Sequence, residues 1–153
     1  MRLERDWIAA HVPHQGRMCL LDAVLSWDSN RIECSARSHR APDHPLRAHG
    51  RLGAACLVEY AAQAMAVHGA LLQPPSADSA PFGMLASARA VELLVAELDS
   101  IAGELSIRAE RLHGDARGAV YEFRVNSDAR LLAHGRASVL LPAAAGSAHR
   151  TPA

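Results

Sequence analysis

The stretch from Gly53 to Gln73, GAACLVEYAAQAMAVHGALLQ, constrains this chain more than any other. It consists of good helix formers, holds no interior proline, and stops at Pro74-Pro75, which cannot continue a helix. Apart from Glu59 and Gln63 it is apolar nearly all the way round, and such a helix must be wrapped by other structure. About twenty residues would also suffice to span a bilayer. The interruptions at Glu59, Gln63 and His68, the weak hydrophobicity of alanine and the lack of any similar segment argue against a membrane span.

Glu59 and Gln63 lie one helical turn apart and share a face with Ala55, Cys56, Ala62 and Ala66. A carboxyl group in dry, apolar surroundings has a raised pKa, because burial disfavours its charged form. Glu59 is therefore a candidate proton donor. The competing reading, at even weight, is a structural buried acid bonded to backbone or to an arginine.

Composition narrows the rest. The chain has 153 residues, half of them hydrophobic, enough for one domain with a real core. One domain over residues 1–142, with a flexible Ala-, Pro- and Ser-rich tail over 143–153, is the expected division. The formal charge is zero, so the broad basic field of a nucleic-acid binder is missing. All 16 basic residues are arginine, and Arg37, Arg40, Arg47 and Arg51 precede the helix, where they could hold a phosphate or carboxylate. Any one of them read alone is a solvated loop residue. Cys19, Cys34 and Cys56 are odd in number and sit among apolar neighbours, which fits buried reduced thiols. The charged N-terminus, MRLERDWIAAHVPH, is not a signal peptide, and a cytoplasmic protein is implied.

Along the chain, Leu3 to Ala10 suits a short amphipathic helix ended by Pro13. Met18 to Trp27 and Arg31 to Ser38, joined by Asp28-Ser29-Asn30, read as a β-hairpin. His39 to Leu52 is a loop rich in His, Arg and Pro. After the helix come a linker, Gln73 to Pro81, and four apolar runs: Phe82 to Ala90, Leu105 to Leu112, Ala119 to Val125 and Leu131 to Leu141. These read as consecutive antiparallel strands of a meander. The simplest solution is an α+β fold, an antiparallel sheet wrapped round one long buried helix, with a second subunit covering the side left open.

Three segments resemble a known family, the hotdog-fold 3-hydroxyacyl-[acyl-carrier-protein] dehydratases. VPHQGRMCLLDAVL at Val12 to Leu25 is similar to the family's opening, CLVEYAAQAM at Cys56 to Met65 to its helix signature, and FGMLASARAVEL at Phe82 to Leu93 to the strand that follows. The loop departs from the family. The usual "GHFPGxPxxPG" segment, whose His is the catalytic base, is replaced by SHRAPDHPLRAHGRLGAAC, and Pro45 occupies the expected His position. His39, His44 and His49 compete for the role. His49, followed by glycine in a shortened loop, is first choice and His39 the alternative. This shortened "G, x, L" loop resembles divergent members of bacterial aryl-polyene and related pigment pathways.

The resemblance implies dehydration of 3-hydroxyacyl thioesters to trans-2-enoyl thioesters, with a histidine taking the α-proton and Glu59 protonating the departing hydroxyl. It further implies that Gln63 orients the acid and that backbone N–H groups around Gly53 to Cys56 hold the enolate charge. His14, of the "PH" motif, is placed near the site by the resemblance, although a histidine beside a turn is more often structural. No metal and no resident cofactor are expected, since phosphopantetheine arrives with the substrate. The expected partners are an acyl carrier protein and a second hotdog chain, in a homodimer or heterodimer; nucleic acid and membrane are not. The alternatives are a hotdog thioesterase, with Glu59 activating water, and a non-catalytic subunit that completes a partner's interface.

Overall fold

The computed structural model describes residues 2–73 and 84–140. The linker expected over 73–81 and the tail expected beyond 142 therefore lie almost wholly outside the described residues. Seven strands form one antiparallel sheet: β1 (Leu3–Glu4), β2 (Ala23–Trp27), β3 (Arg31–Ala36), β4 (Met84–Leu93), β5 (Leu105–Gly114), β6 (Gly118–Ser127) and β7 (Arg130–Leu140). Their order is β1-β2-β3-β5-β6-β7-β4. Two helices accompany them, α1 (Arg5–His11) and the long α2 (Cys56–Leu71). No helix among the described residues is long and apolar enough to cross a membrane.

α2 is the helix expected from the sequence, shorter by a few residues at each end. Leu57, Tyr60, Ala61, Ala64, Met65 and Val67 are buried on it against the inward side chains Ile32, Cys34, Leu105, Ile107 and Phe123 of the sheet. Its two interior polar residues are also buried but satisfied. His68 Nε2 lies 2.7 Å from the Asp28 carbonyl, and its Nδ1 2.7 Å from the Tyr121 hydroxyl. The face bearing Ala55, Val58, Glu59 and Ala62 is left partly open, as is the last turn from Gly69 to Leu71.

Local chemistry sets the turns. Asp28 Oδ1 accepts the Asn30 and Arg31 N–H groups at 2.8 and 2.9 Å and closes the β2–β3 hairpin. Asp128 takes a positive φ of 52° in the tight β6–β7 turn, a conformation that aspartate tolerates better than most residues. On β5, Leu105, Ile107 and Ala109 point inward while Arg108 and Glu110 face solvent, as the alternation predicted. Leu112, the next position on that outer side, is exposed as well, and a bulge between Arg111 and His113 shifts the register beyond it.

Three expectations are corrected. β4 does not begin the meander: it crosses to the far edge and pairs with β7, not β5, because β5 is already taken by β3 and β6. Leu3–Glu4 leaves the expected first helix and pairs with β2. Met18 to Asp22 is not strand, because its backbone groups are bonded elsewhere. Gln63 takes the Met18 carbonyl and the Leu20 N–H, Arg5 takes the Cys19 carbonyl, and Ser38 takes the Leu20 carbonyl.

Candidate active site

The first turns of α2, the 14–18 segment and the 46–51 segment enclose an open cleft of about 850 Å³, lined by His14, Met18, Leu46, Ala48, Arg51, Gly53, Val58 and Glu59 among others. Glu59 projects from the open face of α2. Its Oε1 lies 2.9 Å from His14 Nε2 and accepts a hydrogen bond from Gln63 Nε2 at 3.1 Å. The Gln63 amide orientation is fixed from its other bonds: Oε1 accepts the Leu20 N–H at 2.9 Å and Nε2 donates to the Met18 carbonyl at 2.8 Å. Gln63 thus aims Glu59 and at the same time holds the segment that leads from His14.

This environment reverses the expected direction of the Glu59 pKa. The hydrogen bond from His14 lowers it most, Gln63 lowers it further, and burial, which raises it, is outweighed. Glu59 is not in a dry apolar pocket; its side chain is 31% exposed to the cleft. At neutral pH it is a carboxylate. His14 Nδ1 is buried with no hydrogen-bond partner among the described residues. With Glu59 ionised, the proton of a neutral His14 lies on Nε2, facing the carboxylate.

The other histidines are placed away from this pair. His39 sits in the 3-10 turn Ser38–Arg40, fully buried, with Nε2 2.9 Å from the Ile101 carbonyl. Burial pushes its pKa down. It does not line the cleft. His44 is buried against Tyr60, its Nε2 3.1 Å from the hydroxyl, and its pKa too is lowered by burial. His49 is exposed at the tip of a two-residue turn, where it and Gly50 have φ values of 53° and 75° while Ala48 and Arg51 exchange backbone bonds. It stands next to the cleft-lining Ala48 without lining the cleft itself.

Gly53 does line the cleft, and a Cβ built on it would meet only open space. Of the N–H groups at the helix entry, Ala54 donates to the Ala96 carbonyl at 3.1 Å and Cys56 to the Gly53 carbonyl at 3.2 Å. Those of Gly53 and Ala55 have no partner among the described residues. The expected set of charge-holding donors narrows to these two. The Cys56 thiol beside them is pushed up to about 12 by burial, so it is no thiolate nucleophile near neutral pH.

Arg47, one of the candidate anion contacts, is committed elsewhere. Its guanidinium pairs with Asp99 and donates to the carbonyls of Ala41 and His39, while Asp99 accepts the Leu52 N–H. It braces the loop from inside. Arg51 is exposed at the cleft, 3.7 Å from Glu97, and Arg40 is exposed with no ion pair among the described residues. No group of side chains among the described residues could hold a metal ion.

A family model for ApeP dehydratase, of the ApeP-like family, matches residues 7–150. The chain belongs to the ApeP-like dehydratase family. Among solved structures it is similar to a chain of the dehydratase heterocomplex ApeI:P from Xenorhabdus doucetiae, at 26% identity and a TM-score of 0.77 over 88% of this chain and 90% of that one. More distant likenesses show the hotdog-type fold alone. Zebra fish thioesterase superfamily member 2 has 16% identity and a TM-score of 0.63 over 90% and 95% of the two chains. AziG from S. sahachiroi has 16% identity and a TM-score of 0.58 over 79% and 90%. No curated protein sequence matches the chain. Family membership agrees with the fold expected from the helix and hairpin. The resemblance through Pro13-His14 placed His14 near the site, but its direct contact with Glu59 was not expected, because nothing local joins the two.

Proposed function

We propose that the chain removes water from 3-hydroxyacyl thioesters carried on an acyl carrier protein, yielding trans-2-enoyl thioesters in fatty-acid or polyene pigment synthesis. The observation that carries this reading is the Gln63-aimed Glu59–His14 pair facing an open cleft in a chain of a dehydratase family. Because Glu59 rests as a carboxylate, it enters the cycle as a base. It takes the α-proton, the Cβ–O bond breaks, and the same proton passes to the leaving hydroxyl, so that water departs and Glu59 is regenerated. Nε2–H of His14 holds the carboxylate in place. The unpartnered N–H groups of Gly53 and Ala55 stabilise the enolate-like charge on the thioester oxygen. Met18, Leu46 and Val58 supply apolar surface for the acyl chain.

The chain works, in this reading, with a second hotdog subunit. β4 is a ten-residue edge strand, exposed over most of its length, with Met84, Leu85 and Leu93 bare beside Leu94 and Leu140. A long apolar edge of this kind invites pairing. The open α2 face of Ala55, Val58 and Ala62 permits close approach by a neighbour. The similar Xenorhabdus doucetiae chain comes from a heterocomplex. For His49 to act as a base it must serve a cleft on that second chain, since it does not reach its own. Arg51 and Arg40 are the contacts for the carrier's acidic surface or the phosphopantetheine phosphate. No resident cofactor is needed, and the enzyme is cytoplasmic.

The test is hydration of a 2-enoyl-carrier-protein by the full chain, alone and with a second hotdog subunit, followed as loss of the conjugated thioester absorbance. The expected result is a loss that Glu59→Gln abolishes, without thiol release. Thiol release would instead establish a thioesterase. No turnover in either arrangement would leave the chain a non-catalytic subunit.

A further inference from the structure

Behind the cleft, four hydrogen bonds link five groups into a chain that the chemistry above does not use. Ser38 Oγ donates its one proton to the Leu20 carbonyl at 2.8 Å, so at 2.6 Å it accepts from the Tyr60 hydroxyl. Tyr60 has then spent its proton and must accept from His44 Nε2 at 3.1 Å. A neutral His44 with its proton on Nε2 has a lone pair on Nδ1, and there it accepts the Leu46 N–H at 3.1 Å. Each donor meets an acceptor from Leu46 to Leu20, and the direction is fixed from both ends.

The ends of this chain matter. Leu46 belongs to one loop segment lining the cleft, and Leu20 directly follows the segment that carries His14 and Met18 to it. Met18 and Leu46 are the large apolar side chains these two segments contribute. Tyr60, at the centre, is the helix neighbour of Glu59 and is fully buried. We propose that His44, Tyr60 and Ser38 are positioning residues that fix the spacing of the two cleft-lining segments against α2 and so select the acyl chain length accepted. The kinetic part of this proposal rests on the dehydratase reading; the structural part does not.

The relay is tested by comparing kcat/KM for short and long 3-hydroxyacyl thioesters, 3-hydroxybutanoyl and 3-hydroxydecanoyl, in the full chain and its variants. Tyr60→Phe and Ser38→Ala should change the long-to-short ratio by about tenfold, the scale on which pocket fit discriminates chain length. Ser38→Thr, which keeps the hydroxyl, should restore the ratio. Tyr121→Phe removes a comparable buried hydroxyl-to-imidazole bond at His68, far from the cleft, and should lower Tm without moving the ratio. An unchanged ratio in Tyr60→Phe and Ser38→Ala, or an equal change in Tyr121→Phe, overturns the proposal. If Tyr60→Phe does not fold, Ser38→Ala against Ser38→Thr decides alone. If the wild-type chain turns over neither thioester, alone or with a second hotdog subunit, the dehydratase reading fails, and amide hydrogen exchange decides the relay. Faster exchange at Leu46 in Tyr60→Phe but not in Tyr121→Phe supports it, and unaltered exchange there overturns it.

Discussion

The two halves of α2 carry imidazole contacts of opposite kinds. Near its C-terminal end His68 is sealed: both ring nitrogens are engaged, by Tyr121 and by the Asp28 carbonyl, and nothing titratable reaches solvent. Near its N-terminal end His14 meets Glu59 at a cleft, with one nitrogen unpartnered among the described residues and both side chains about a quarter to a third exposed. A closed network spends every donor and acceptor on holding the fold. An open one keeps capacity for a substrate. The same helix thus carries a closed histidine contact and an open one, told apart by partner count and access, not by residue type.

That contrast is broken first by Glu59→Gln, the variant with the largest expected effect. It should cut dehydration by about 10²–10⁴-fold, the usual worth of a positioned acid–base group, with Tm little changed. Next, His68→Ala should cost about 3 kcal/mol of unfolding free energy, by opening a cavity and orphaning the Tyr121 hydroxyl and the Asp28 carbonyl. Turnover per folded molecule should stay the same in that variant. Chemical denaturation and initial rates measured on the same preparation check both.

Acidity sharpens the contrast further. Burial holds the imidazoles of His39, His44 and His68 below their ordinary pKa, so the unfolded chain binds more protons than the folded one once the pH falls below about 6.5. Stability is full above that pH and declines as the pH is lowered. A denaturation series from about pH 7 to about pH 5 should show the decline, and His68→Ala should flatten it. Glu59, with its lowered pKa, acts in a lower window, contributing stability above the ordinary carboxylate range and losing it as the pH falls through its folded value. The smallest expected effect is Arg51→Glu, which should raise KM for a carrier-bound substrate by a few-fold while leaving a short thioester mimic unaffected.

Much of the fold was legible because its signals are local. The apolar run ending at Pro74-Pro75, the Asp28 turn and the alternation of Leu105, Ile107 and Ala109 each act over a few residues. What failed depended on distant competition. β4 reads as a strand in sequence, but its place at the far edge follows from β5 being occupied on both sides. Met18 to Asp22 has a strand's composition, yet Gln63, Ser38 and Arg5 hold its backbone groups. At the site, Glu59 and Gln63 were visible as helix neighbours. Their effect on acidity was not, because the group that lowers the Glu59 pKa most, His14, comes from the other end of the chain's first third. The loop histidines were ranked by resemblance alone, His49 first and His39 second, and only the structure separates two buried rings from one exposed at a turn.

The most direct measurement is the pH profile of kcat/KM for 2-enoyl thioester hydration in the wild-type chain and in His14→Ala. Removing His14 takes away the main influence lowering the Glu59 pKa, so the acidic limb should move to higher pH and the rate at neutral pH should fall. An acidic limb that stays where it was, with the rate intact, would contradict an acid–base role for the His14–Glu59 pair.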